Sequence, residues 1–297
     1  MANSRFGGAT RALAAALIAS ALLAAFAVAN TTKVFDSTTQ APNATANATA
    51  VCGGSRYVVG GGFALNPPFD PVSSTGAQTL VQQSFPSDRK RWRVRSFAAF
   101  GGTDSTLYSV GLCRHVKPVH SDNGFPIAPA TDLTVLAKCA NANRHVIGGG
   151  FRITPRYDPA TATGANVSVN TNMRESDVYW KVGAIRDAGD DARVRAYAIC
   201  DKDNNGRIRT RTDHVDVPDV GTYTATVHCR GLTKVVSGGF KVRPLGTPGS
   251  AMSTGLFPWV SVSAPLPSKD GWTATMHNSI GPVPDGKLTV YAYCQLP

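Results

Sequence analysis

The 297 residues predict an all-β protein built from three tandem homologous antiparallel modules, and three observations carry that expectation. Helix-favouring Lys is scarce and Glu175 is the sole glutamate, while Val, Thr, Ser, Gly and Asn abound. No stretch beyond residue 29 sustains a 3.6-residue apolar period. Six cysteines recur as Cys52 and Cys113, Cys139 and Cys200, and Cys229 and Cys294, which are 61, 61 and 65 residues apart. At 42% hydrophobic and 16% charged, with 29 Gly and 19 Pro, the composition excludes a disordered polyelectrolyte, a coiled coil and a multi-span membrane protein.

Taken in order, residues 1–11 carry Arg5 and Arg11 and no acid, and residues 12–29 (ALAAALIASALLAAFAVA) are uncharged. The run ends in Ala27-Val28-Ala29, the small-x-small pattern that signal peptidase accepts. A retained anchor is the alternative, because eighteen residues nearly cross a bilayer. Ala contributes little transfer energy, however, so 1–29 is read as a cleaved signal peptide. No later segment has such a run, so no membrane span is expected after cleavage. Cleavage removes two Arg and no acid and takes the net charge from +11 to +9. Residues 30–49 are Thr, Asn and Ala with little to bury, and read as a flexible leader. Their Asn-x-Thr triplets at Asn30, Asn43 and Asn47 accept glycans only in a pathway that glycosylates.

Three repeats follow: 50–113, 134–200 and 223–297, joined by linkers 114–133 and 201–222. Each opens on its early Cys, as CGGSRYVVGGGF (52–63), CANANRHVIGGGF (139–151) and CRGLTKVVSGGF (229–240). Each then has a Trp at a matching position (Trp92, Trp180, Trp272) and closes as LYSVGLC, VRAYAIC or LTVYAYC. About five strands are expected per repeat. One ends at the early Cys and one carries the Gly run. A third is polar (79–85, 166–173, 259–266), a fourth starts at the Trp, and the last enters the late Cys. Trp92 and Val94 share one face by alternation, which sends Arg93 and Arg95 to the other. The last strand is apolar on both faces and should lie inside a sheet. Glycine within a strand marks a bulge or close backbone approach, expected here beneath the Trp. The linkers are long enough to hold an added edge strand.

Six cysteines allow fifteen pairings. Three equivalent units, each with one early and one late Cys, most simply pair internally as Cys52–Cys113, Cys139–Cys200 and Cys229–Cys294. Export supplies the oxidising setting this needs. Zinc is not expected, for there is no C-x-x-C and the six His do not recur beside the cysteines.

At these landmarks the chain resembles a group of secreted actinobacterial domains. These pair an early Cys, a V-x-G-G-G turn, a Ser-x-Pro before a Trp, and a closing V-x-A-x-C. Ser84-Phe85-Pro86 before Trp92, and Val290-Tyr291-Ala292-Tyr293-Cys294, are most similar to that pattern, and the resemblance spans 50–297 in three copies. It departs after the early Cys, where Gly53, Ala140 and Arg230 replace the usual Pro. The resemblance implies fold and export and assigns no activity or site residue. A threefold set of sheets is also similar in architecture to β-prism lectins, which carries no function across. Two packings stay open, separate modules in contact and a closed pseudo-threefold prism, with the modules favoured.

Few residues suggest chemistry. The GGGF runs lack the following helix, Lys and Ser/Thr of a phosphate cradle. Asp201-Lys202-Asp203-Asn204-Asn205-Gly206 opens like a calcium loop, but Thr212 stands where Glu is required, so it reads as an Asx-rich turn without metal. There is no G-x-S-x-G or H-E-x-x-H, and a lone Glu excludes a glutamate-pair glycosidase. No catalytic residue and no cofactor is assigned. Basic clusters remain. Arg89, Lys90, Arg91, Arg93 and Arg95 surround Trp92, with Arg93 and Arg95 on the solvent-facing side of the strand. Arg207, Arg209 and Arg211 share one face of an extended segment, so Arg93, Arg95, Arg207, Arg209 and Arg211 are the candidate ligand-binding residues. A dedicated nucleic-acid site is not expected, because Trp180 and Trp272 occupy the Trp92 position without an Arg cluster. The charge is +3, +3 and +4 on the three repeats, which favours weak, spread-out anion affinity over one site, with avidity from tandem copies. The expected role is a secreted, non-catalytic, extracellular or cell-surface protein that binds a glycan or anionic polymer. The alternatives are a purely structural extracellular protein and a secreted hydrolase.

Overall fold

The computed structural model describes residues 31–295 other than 74–77, 101–102, 142, 203–207, 232–233, 245–258, 269 and 280. The signal segment 1–29, Asn30, Arg207 and residues 203–206 of the calcium-like run lie outside the described residues.

Each repeat contributes six strands, one more than expected. Repeat 1 supplies β1 (Thr32–Gln40), β2 (Thr45–Val51), β3 (Tyr57–Asn66), β4 (Gln78–Pro86), β5 (Arg91–Phe100) and β6 (Ser105–Arg114). Repeat 2 supplies β7 (Val119–Ile127), β8 (Thr131–Lys138), β9 (His145–Thr154), β10 (Ala165–Arg174), β11 (Tyr179–Gly189) and β12 (Ala192–Asp201). Repeat 3 supplies β13 (Ile208–Asp216), β14 (Gly221–His228), β15 (Lys234–Arg243), β16 (Trp259–Pro265), β17 (Gly271–Asn278) and β18 (Lys287–Gln295).

The residues expected to be a flexible leader are instead β1 and β2, and the two linkers hold β7 and β13. β1, β7 and β13 pair through their backbones with the closing strands β6, β12 and β18. Their side chains are mostly exposed or half-buried, which is why apolar periodicity does not reveal them. The closing strands are thereby interior, as their two-faced apolar pattern predicted.

The eighteen strands form three six-stranded antiparallel sheets, each drawn from two repeats. The orders are β1-β6-β3-β16-β17-β14 (sheet I), β2-β5-β4-β9-β12-β7 (sheet II) and β13-β18-β15-β10-β11-β8 (sheet III). The two repeats in a sheet meet at a seam: β3 with β16, β9 with β4, and β15 with β10. Repeat 1 therefore joins repeat 3, repeat 3 joins repeat 2, and repeat 2 joins repeat 1. The favoured expectation of separate modules gives way to this cyclic exchange of half-sheets.

Each landmark of the repeat has a place in the exchange. The disulfides pair as expected, with Cα–Cα distances of 5.7, 5.8 and 5.6 Å. Each ties one sheet to another: Cys52 follows β2 of sheet II, and Cys113 lies on β6 of sheet I. Trp92, Trp180 and Trp272 are fully buried. Their indole N–H groups donate to Ser84 Oγ (3.1 Å), Asn172 Oδ1 (2.8 Å) and Ser263 Oγ (3.1 Å) on the polar strand next door. Beneath the rings lie Gly61, Gly149 and Gly238, where a Cβ would overlap the indole.

The other two residues of each run serve closure. Gly62, Gly150 and Gly239 press on the carbonyls of Ser263, Ser84 and Asn172 across the seams. Gly60, Gly148 and Ser237 converge where the three Gly-bearing strands meet. Just inside, Phe151 and Phe240 pack edge-to-face on Phe63 at 6.4 and 6.5 Å. The void between them is about 10 Å³, at the lower limit for one water. Directly after the late cysteines, Arg114 donates to Gln295 Oε1 while Asp201 favours its charge, so three equivalent positions carry complementary groups.

Candidate functional site

The exposed face of sheet II is built by strand alternation. Trp92, Val94, Phe151, Ile153, Val194 and Ala196 turn inward and are buried. The residues between them therefore turn outward. Register then places Asn47, Arg95, Gln83, Arg152, Arg195 and Gly124 opposite one another in a single row across all six strands. Three arginines share that row. At about 4.8 Å per strand, Arg152 and Arg195 are one spacing apart, and Arg95 and Arg152 are two.

Arg93 stands one step along the same face, opposite Phe85. Burial pushes the Arg95 guanidinium below its ordinary range, and the cations of Arg156, Arg93 and Arg152 add to the effect. Those four arginines thus share one electrostatic neighbourhood. Arg95 Nε donates to Asn47 Oδ1 (2.8 Å), and Arg152 lies 5.6 Å over the Phe85 ring, which stacks on Tyr197 at 4.9 Å. The buried Nε atoms of Arg93 and Arg152 have no hydrogen-bond partner. Asp122 pairs with Arg195 at 2.9 Å, but among the described residues no carboxylate pairs with Arg93, Arg95, Arg152 or Arg156.

The other two faces differ. The positions of Arg95, Arg152 and Arg195 are Thr275, Ala64 and Tyr108 in sheet I. In sheet III they are Gly183, Lys241 and Thr289. In sheet III Lys181 bonds Glu175 at 3.2 Å; burial, Arg243 and Lys181 push the Lys241 ammonium below its ordinary range, and Glu175 opposes them. Folding thus brings arginines of two repeats, Arg93 and Arg95 with Arg152 and Arg195, onto one face.

Of the five candidate residues, Arg93 and Arg95 lie on this face. Arg209 and Arg211 are exposed on β13, the edge of sheet III, and do not join them. Sequence reasoning missed Arg152, Arg156 and Arg195. Their signal was legible: Arg152 stands where the other repeats have Ala64 and Lys241, and Arg195 where they have Tyr108 and Thr289.

A second polar cluster also escaped the sequence. Ser261 Oγ and His277 Nε2 are 2.7 Å apart, and His277 Nδ1 lies 2.9 Å from Thr222 Oγ1. A serine bonded to an imidazole has the outline of a nucleophile and its base. Ser261 and His277 are only 3% and 2% exposed, and Phe69 packs edge-on against the ring at 6.4 Å, so the network sits as a core element. Burial lowers the imidazole to about 4, against the opposing pull of the Asp70 carboxylate.

A prediction follows from the sign of that shift. An unfolded histidine takes up its proton near pH 6.5, whereas the folded one resists until about pH 4. Stability should be unaffected above pH 6.5 and fall between pH 6.5 and 4, by about 3 kcal/mol in all. His277→Phe, which puts in the side chain that Phe97 supplies at the equivalent position, should flatten that slope. Urea midpoints at pH 7, 5.5 and 4 test it, and equal slopes in the two proteins would refute the assignment.

No protein-family model matches the chain, and no curated protein is significantly similar to it.

Proposed function

We propose that the protein is a secreted, non-catalytic binding protein whose sheet II face holds an anionic glycan carrying carboxylate or sulfate groups. The observation that carries this reading is the row Arg95, Arg152, Arg195. Like charges set opposite each other weaken a sheet, and four arginines here have no carboxylate among the described residues. A local rule broken without internal compensation is the mark of a site kept for a ligand. Guanidinium forks match carboxylate and sulfate in charge and geometry. Three disulfides call for an oxidising compartment, which agrees with the signal-like segment 1–29 and with an extracellular location.

A glycan is favoured over single-stranded nucleic acid because bases need an exposed aromatic platform. On this face Phe85 and Tyr197 are buried, and Arg152 covers the former. The ligand engages one face, in place of the tandem weak sites that the even charge suggested.

The test is retention on dextran sulfate, polygalacturonate and single-stranded DNA over a salt gradient. Arg95→Thr with Arg152→Ala should weaken glycan binding at least ~10-fold, with a shallower salt dependence. Arg209→Ala with Arg211→Ala should leave it near wild type. These replacements put into sheet II the residues that sheet I already carries at Thr275 and Ala64, so the fold tolerates them. No salt-sensitive retention on either glycan would remove the proposal, and tighter binding to DNA would redirect it to nucleic acid.

A further inference from the structure

The arginine face straddles the boundary between two repeats, and this gives its ligand a second consequence. Arg93 and Arg95 belong to repeat 1, and Arg152, Arg156 and Arg195 to repeat 2, with the β4–β9 seam between them. That seam is short, with Gln83↔Arg152 and Ser84↔Phe151 as its register pairs. Side chains reinforce it. Gln83 Nε2 donates to the Ile153 carbonyl at 3.0 Å, Gln82 Nε2 to the Ala165 carbonyl at 2.8 Å, and the Tyr157 N–H to Gln82 Oε1 at 3.0 Å. The seams of sheets I and III are equally short, at Val262↔Ala64 with Ser263↔Phe63 and at Thr171↔Lys241 with Asn172↔Phe240. The register pairs of the sheet I seam carry no cation, and at sheet III, where Lys181 of repeat 2 repels Lys241 of repeat 3, Glu175 opposes that repulsion. At the sheet II seam no carboxylate among the described residues pairs with Arg95 or Arg152.

We infer that an anionic group of the ligand seats across the β4–β9 seam between Arg95 and Arg152 and locks repeat 1 to repeat 2. This rests on the proposed function and adds a structural output to it. Without ligand, Arg95 and Arg152 face each other across the buried Gln83 with nothing anionic between them. A carboxylate or sulfate placed there accepts from both guanidinium groups and turns a repulsion across the seam into two attractions. Because the three repeats are joined in a ring, parting any one seam opens the ring, and the ligand acts on the seam of sheet II.

The experiment is amide hydrogen exchange of the disulfide-intact protein at low salt, with and without dextran sulfate, and in a second arm with polygalacturonate. Peptides covering 78–86 and 145–154 report the sheet II seam. Those covering 57–66 with 259–265, and 165–174 with 234–243, report the other two. The expected result is exchange slowed about tenfold or more at the first seam, with little change at the others. Arg152→Ala should abolish the difference, and in the absence of ligand its seam should exchange no faster than wild type because a repulsion has been removed. Protection by dextran sulfate alone, or by both polymers, identifies the anion the seam accepts. Binding accompanied by equal protection at all three seams overturns the lock and leaves the binding proposal standing. Absence of binding to either polymer removes both.

Discussion

Gly149→Ala is expected to destabilise the protein by about 3 kcal/mol or more, although it adds a single methyl and improves strand propensity. The new Cβ would overlap the Trp180 indole and the Tyr197 carbonyl. The indole has nowhere to retreat, being fully buried and tethered by its N–H to Asn172 Oδ1. Gly61→Ala and Gly238→Ala should behave alike, because Trp92 and Trp272 lie over them in the same way. Gly53→Ala is the control, since its Cβ meets nothing within 4 Å. Guanidinium unfolding midpoints decide the matter. A Gly149→Ala protein within about 0.5 kcal/mol of the control, the range of ordinary surface changes, would mean that the glycine is not held against the ring.

Replacing Cys139 and Cys200 by serine should lower stability by about 2–5 kcal/mol. The bridge closes a 61-residue loop, for which chain entropy alone gives about 4 kcal/mol. It also ties the end of β8 in sheet III to β12 in sheet II. The form of the transition is as informative as its midpoint. Repeat 2 shares sheet II with repeat 1 and sheet III with repeat 3. Loosening it should therefore lower one cooperative transition of the whole molecule. Separate modules would instead show an early transition of about a third of the signal. Calorimetry of the double variant distinguishes the two, and a split endotherm would contradict the shared sheets.

Much of the architecture was legible because the repeat is written in residues with narrow physical roles. The spacing of the cysteines identified the three bridges, and alternation around Trp92 turned Arg93 and Arg95 to the other face of their strand. The glycines beneath the tryptophans were also readable, since few features other than close approach call for glycine inside a strand. A further landmark of the repeat is a proline four residues after the shared Phe, at Pro67, Pro155 and Pro244. β1 lies in the segment expected to be a flexible leader, and β7 and β13 were expected only from linker length. β1, β7 and β13 are edge strands held by backbone hydrogen bonds, and side chains such as those of Arg209 and Arg211 are exposed. Such a segment has the composition of a linker.

The candidate site was legible only by half. Arg93 and Arg95 stood out because they lie beside a Trp, whereas Arg152 and Arg195 belong to a different repeat, lie beside none and stand out only when the repeats are compared position by position. What joins them is the pairing of β4 with β9. In the amino-acid order lie the number of repeats, the cysteine partners, the direction each strand residue faces and the glycine–indole contact, all of which follow from local spacing and from side chains that tolerate few environments. Which repeats share a sheet, and so which arginines become neighbours, is a property of the folded chain. Strand pairing is made by backbone groups common to every residue, and a seam strand presents the same pattern whether its partner comes from its own repeat or another. The choice rests on the summed packing of three Phe rings, three glycine crossings and the Arg114–Gln295 contact around one centre.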